Sequence, residues 1–225
     1  MQYKVPNSSS IAFALNRGIR FSEKARDIVG GLSLYASDTG GTIREYIWDD
    51  QKDIWQDGFT FNNTDGYAGA TIWTEFAIAY LFTLGSSQSI QIWWRDYNAK
   101  KNSWSLGPSS PSAAARNTSM CSLVGFTFQA PDGTIRGTNL TNLGGNGADV
   151  RWGVTYDISE GAAMENTGLG CWFNFPGAMG QRDMFHVFYQ VDGGDIVEAI
   201  RDWDLDNNTV PGTWRYQTVP IRLEG

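Results

Sequence analysis

The chain has 225 residues and a single histidine, His186. Its imidazole is the only side chain whose ordinary pKa lies near neutrality, so it suits an acid, a base or a hydrogen-bond donor. It equally suits a strand position where the ring is merely satisfied. Two glutamates, Glu45 and Glu198, stand at matching points of similar segments and offer a carboxylate pair of the kind glycosidases use. Cys121 and Cys171 are the only cysteines, so Cys/His metal clusters are excluded, and no metal or cofactor is implied. Gly-x-Ser-x-Gly, phosphate-loop and dinucleotide fingerprints do not occur, which leaves nucleophilic catalysis without support. The remaining chemical resource is aromatic: ten Trp, nine Tyr and twelve Phe. Most of these rings must fill a core. Trp55, Trp73, Trp93, Trp104, Trp172 and Trp214 are the candidates for lining a ligand surface.

Charge narrows the partners. Lys and Arg number 17 against 24 Asp and Glu, a net charge of −7, with no basic cluster. Nucleic acid is therefore not an expected partner, because phosphate neutralisation needs clustered cations. No apolar run approaches the ~18 residues of a membrane span, and Met1-Gln2-Tyr3-Lys4 shows no apolar leader core. Asn-x-Ser/Thr triplets at Asn7, Asn62, Asn117, Asn139 and Asn207 favour a secretory route. A Ser/Thr/Asn-rich surface also generates such triplets by chance.

The elements that position these residues repeat. Gly41-Thr-Ile-Arg-Glu-Tyr-Ile-Trp48 returns as Ser89-Ile-Gln-Ile-Trp-Trp94, Thr134-Ile-Arg-Gly137 and Asp195-Ile-Val-Glu198, with the shared Ile at 43, 90, 135 and 196. Glycine-bearing turns precede the copies, as in Pro131-Asp-Gly133 and Asp192-Gly-Gly194. Before each turn comes a strand-like run: 32–35, 76–82, 125–128 and 185–189. A further apolar stretch opens each unit, at 11–15, 70–73, 121–124 and 171–173, and a Trp (55, 104, 152, 214) opens a last strand. Four short strands in about 50 residues, four times over, read as blades of a β-propeller. The expectation is an all-β fold, a small β-propeller of about four four-stranded antiparallel blades, with five the upper count, forming one domain over residues 1–225. Cys121 and Cys171 fall on matching first strands of adjacent units. They either bond or act as small apolar fillers, with the filler reading preferred. Long links at 16–31, 137–150, 174–183 and 201–213 are candidate binding loops.

The segment Thr42-Ile-Arg-Glu-Tyr-Ile-Trp48 with Trp55-Gln-Asp-Gly-Phe59 resembles the blades of the fungal fucose-specific lectins of the Aleuria aurantia type. Spacing supports the resemblance over nearly the whole chain, and residue identity supports it closely only in the first unit. The family is usually six-bladed, so four units are a departure. The resemblance implies a sugar site with an Arg on the second strand, a Glu on the third and aromatic rings against the sugar's C–H face. Unit 1 keeps Glu45 but has Ser33 near the Arg position. Unit 2 has Gln91 for the Glu, and unit 3 has Gly137. Unit 4 keeps Glu198, with His186 near the Arg position and Arg182 as a substitute donor. Losing a charge-assisted donor costs about 1.5–3 kcal/mol, roughly 10- to 100-fold per site.

Two expectations result. The preferred one is a lectin-like propeller turned to a hydrophobic small molecule, most specifically a cofactor-independent cyclase of the intermolecular hetero-Diels–Alder type. There His186 would donate to a polarised carbonyl while aromatic walls align the reactants. The alternative is a fucose- or glycan-binding lectin with degenerate sites, for which the partner is a fucosylated glycan.

Overall fold

The computed structural model describes residues 11–15, 32–37, 42–49, 52–62, 71–75, 78–85, 87–96, 104–116, 118–122, 126–142, 147–174, 183–203 and 213–220. These form sixteen strands in four antiparallel sheets, each built from four strands consecutive in the chain. Sheet 1 holds β1 (Ile11–Leu15), β2 (Leu32–Ser37), β3 (Ile43–Asp49) and β4 (Ile54–Phe61). Sheet 2 holds β5 (Thr71–Glu75), β6 (Ile78–Leu84), β7 (Ser89–Asp96) and β8 (Ser105–Ala113). Sheet 3 holds β9 (Met120–Ser122), β10 (Phe126–Gln129), β11 (Thr134–Thr141) and β12 (Arg151–Ala162). Sheet 4 holds β13 (Gly170–Asn174), β14 (Asp183–Gln190), β15 (Ile196–Trp203) and β16 (Arg215–Val219). The first strands touch in chain order, β1 to β5 to β9 to β13. This is the blade arrangement of a β-propeller, and the four units read from the repeat are its four sheets.

Three apolar clusters sit in the three seams between consecutive sheets. Tyr35, Ile43 and Phe61 of sheet 1 meet Ala79, Leu81, Trp93 and Trp104 of sheet 2. Tyr80, Phe82, Ile90 and Ile92 of sheet 2 meet Phe126, Phe128 and Leu140 of sheet 3. Ile135 and Ile158 of sheet 3 meet Phe185, Val187, Tyr189 and Ala199 of sheet 4. The sequence of β6 follows from this. Its seven residues are all buried, because Ala79 and Leu81 enter one seam while Tyr80, Phe82 and Leu84 enter the next. A strand covered on both faces reads as an unbroken apolar run rather than an alternating one. In β14 the alternation returns: Phe185, Val187 and Tyr189 are buried, whereas Met184, His186, Phe188 and Gln190 are half-buried on the opposite face.

The turns expected between second and third strands carry the left-handed backbone that glycine tolerates, at Gly133 (φ +85°) and Gly194 (φ +88°). Two sequence expectations are corrected. Residues 137–141 are not loop, because β11 continues its pairing with β12 as far as Thr141. The cysteines are not fillers: Cys121 on β9 and Cys171 on β13 form a disulfide that joins the first strands of sheets 3 and 4, with Cα atoms 5.8 Å apart. The long link 16–31 lies wholly outside the described residues, and 174–183 does so apart from its two ends, as does most of 201–213.

Gly137 leaves room for the Tyr156 ring, which packs at the seam between sheets 3 and 4. A Cβ there would lie 2.6 Å from Cε2 of Tyr156 and 2.8 Å from its hydroxyl. The Tyr156 ring would have to shift from its place beside the Arg201 guanidinium, which lies 5.5 Å from its centroid. Burial pushes the Tyr156 phenol up, and Arg201 draws it part of the way back. Gly137→Ala is expected to destabilise the protein by about 1–3 kcal/mol through overpacking. Gly170→Ala, whose Cβ meets Phe188 at an ordinary 3.8 Å, should change stability by no more than about 0.5 kcal/mol. Denaturant midpoints of the two variants check this.

Candidate functional site

Sheet 4 carries the half-buried face on which sequence-selected residues meet. His186 on β14 pairs in register with Trp172 on β13 and with Ile200 on β15, so the three share one side of the sheet. Phe188 and Glu198 are register partners on the same side. The His186 ring stacks near-parallel to Phe188, with centroids 6.5 Å apart. His186 Nδ1 lies 2.7 Å from Glu198 Oε1, and Gln217 Nε2 of β16 donates to Glu198 Oε2. Trp172 beside them is 60% exposed.

The electrostatics favour an ionised Glu198. Partial burial opposes its charge, but the hydrogen bonds from Gln217 and His186, together with attraction to His186, outweigh that and hold the carboxyl below its usual range. The site thus presents a fixed carboxylate, an imidazole whose second nitrogen is not used in the contact with Glu198, a carboxamide and an exposed indole. Its slots are those of the expected sugar site. Glu198 stands two residues after the repeat Ile196, as Glu45 stands after Ile43. His186 faces Ile200 as Ser33 faces Ile47. The His–Glu pair therefore combines the Glu position of the family resemblance with a residue near its Arg position.

Glu45 has a different setting. It is 1% exposed, and Arg95 of sheet 2 grips it with both guanidinium arms, Nη2 to Oε1 at 2.6 Å and Nη1 to Oε2 at 3.2 Å. Tyr35 donates its hydroxyl to Oε1 at 2.9 Å, and the Phe59 amide and Trp104 Nε1 donate to Oε2. Arg95 also lies over the Trp104 ring at 4.6 Å. Bidentate geometry and neutral donors compensate the desolvation of this charge. The structure brings Glu45 and Trp104 together in a closed cluster at the seam of sheets 1 and 2, whereas Glu198 lies on sheet 4.

The other aromatic candidates divide. Trp93 is buried and donates to Thr83 Oγ1 at 3.1 Å. Trp214 is half-buried against Phe185 and Arg201. Trp55 is 37% exposed and meets Trp48 edge-on at 5.3 Å. Trp73 lies on β5, and nothing is described of its side chain. Arg182 falls outside the described residues. Gln217, Phe188, Tyr35 and Arg95 were not among the sequence candidates. For Arg95 a signal existed: Arg95 and Arg201 each follow a repeat Ile, at 90 and 196, by five residues.

The four sheets have a lectin-like β-propeller fold. Solved structures with this fold include AofleA from Arthrobotrys oligospora (TM-score 0.65, 13% identity, 97% of this chain and 58% of that one). The fucose-specific lectin from Aleuria aurantia aligns with a TM-score of 0.61 and 12% identity, over 97% of this chain and 64% of that one; it is described as a six-bladed β-propeller. SapL1 lectin, solved with alpha methyl fucoside, aligns with a TM-score of 0.55 and 15% identity, over 96% and 64%. At such identities the likeness is one of fold. The chain spans about three-fifths of the length of these proteins. No protein-family model and no curated protein sequence matches it.

Proposed function

We propose that this chain is a glycan-binding module of the fucose-lectin kind, with its site on sheet 4 at His186, Glu198 and Gln217 beside Trp172. The observation that carries this reading is the 2.7 Å His186–Glu198 contact, at and near the positions where the family resemblance expects Glu and Arg. An ionised carboxylate accepts from two sugar hydroxyls, the imidazole engages a third, and the exposed indole covers the C–H face. The similar lectin solved with alpha methyl fucoside makes fucosides the first ligands to test.

The cyclase expectation has less support. Orientation of two apolar reactants needs an enclosed apolar pocket. One depression among the described residues, about 190 Å³ at the seam of sheets 1 and 2, is lined mainly by Ser, Asn and Gln side chains. His186 lies on another sheet.

Calorimetric titration with methyl α-L-fucoside and fucosyl oligosaccharides to millimolar concentration is expected to give saturable heat. His186→Ala and Glu198→Gln should each weaken binding roughly 10- to 100-fold, the worth of a charge-assisted hydrogen bond. Because Glu198 is held below its ordinary value of 4.5, its contribution is intact above that pH. It is lost as pH falls through the depressed folded value. Absence of saturable heat with every fucoside overturns the reading.

A further inference from the structure

The acceptor triplets are motifs the glycan site leaves unused, and two of their asparagines lie among the described residues. Asn139 is inside β11 and half-buried, and the Tyr156 hydroxyl donates to its Oδ1 at 3.5 Å. A sugar on Asn139 would have to displace Tyr156 from this contact. Asn62 is exposed, in the turn directly after Phe61 at the end of β4, and it borders the 190 Å³ depression at the seam of sheets 1 and 2. At ~30 Å³ per water the depression holds about six waters, the size of one sugar ring rather than an oligosaccharide. Its wall pairs an apolar side with hydroxyls: Leu106 is 62% exposed, the Ser87 and Ser89 hydroxyls lie 2.7 Å apart, and Ser109 donates to Gln91. That combination matches a sugar's apolar face and its hydroxyl rim.

We propose that Asn62 carries an N-linked glycan whose first N-acetylglucosamine folds back onto this depression and covers Leu106. The Cys121–Cys171 disulfide is an independent sign of an oxidising compartment, where such transfer occurs. In the transfer, the sugar's C1–O bond to its lipid pyrophosphate carrier breaks and a C1–N bond to Asn62 Nδ2 forms. The amide proton leaves with the carrier. The triplet Asn62-Asn63-Thr64 supplies the recognition sequence.

The test expresses the full chain behind a secretion leader in yeast and maps glycopeptides by mass. The Asn62 peptide is expected to carry a glycan, Asn62→Gln to lose it, and Asn139→Gln to change nothing. An unmodified Asn62 peptide in the secreted protein overturns the proposal. Trimming by an endoglycosidase that leaves one N-acetylglucosamine should hold the melting temperature. Complete removal by an amidase should lower it by about 2–4 °C, with Asn62→Asp controlling for the charge the amidase creates. Equal melting temperatures after trimming and after complete removal overturn the folded-back sugar.

Discussion

Arg95→Ala is expected to destabilise the protein by about 3–5 kcal/mol, because it strands a buried carboxylate. Glu45 would keep only neutral donors: Tyr35 at 2.9 Å, the Phe59 amide at 3.2 Å and Trp104 at 3.3 Å. Trp104 would also lose the cation over its ring. The damage falls on the seam that joins sheets 1 and 2, where Phe61, Trp93 and Trp104 pack edge to face. A paired substitution separates charge from packing. Glu45→Gln with Arg95→Met removes both charges and keeps most of the volume, so it should recover most of the loss. Urea midpoints of the single and double variants check this. A double variant no more stable than Arg95→Ala would mean that packing, not the unpaired charge, dominates.

Sheet 4 should be spared by that substitution, and this bears on how the two glutamates read in the sequence. Glu45 and Glu198 are the same residue type at the same repeat position, yet their surroundings are opposite. Arg95 lies 50 residues beyond Glu45 in the chain, and only the packing of sheet 2 on sheet 1 brings it there. No spacing within one unit reveals that contact. The fold was more legible because each blade carries its own local markers: a glycine turn, an Ile, and a Trp at the opening of the last strand. β6 was legible for a further reason, since burial on both faces writes an apolar run directly into the sequence. The His186–Glu198 contact lay between these extremes. Both residues stood out singly, but whether they meet depends on register. A one-residue slip between β14 and β15 would send one of them to the opposite face. The observed pairing of His186 with Ile200, and of Phe188 with Glu198, puts them together. Gln217 enters through the unshifted pairing of β15 with β16. In sheets 1 to 3 the corresponding pairings are broken by bulges, so a polar residue on the last strand could not be assigned a face from the sequence.

Replacing both cysteines (Cys121→Ser with Cys171→Ser) is expected to cost about 2–4 kcal/mol. A crosslink that closes a loop of about fifty residues is worth up to ~4 kcal/mol in chain entropy, and the separation here is 50. The loss should also be local. The bond ties β9 to β13, the first strands of sheets 3 and 4, so hydrogen exchange in β13 to β16 should quicken first. β5 to β8, held by the apolar cluster shared with sheet 3, should remain protected. Trp172 follows Cys171 directly and shares its strand with the disulfide, while its face of the strand carries the proposed sugar site. Removing the bond should therefore weaken fucoside binding as well as stability, with Glu198 and His186 untouched in sequence. A variant that loses stability but binds with unchanged affinity would show that β14 to β16 fix the site without β13. Joint loss would make the disulfide a positioning element: the oxidising environment that closes the bond would also hold the indole against the ligand.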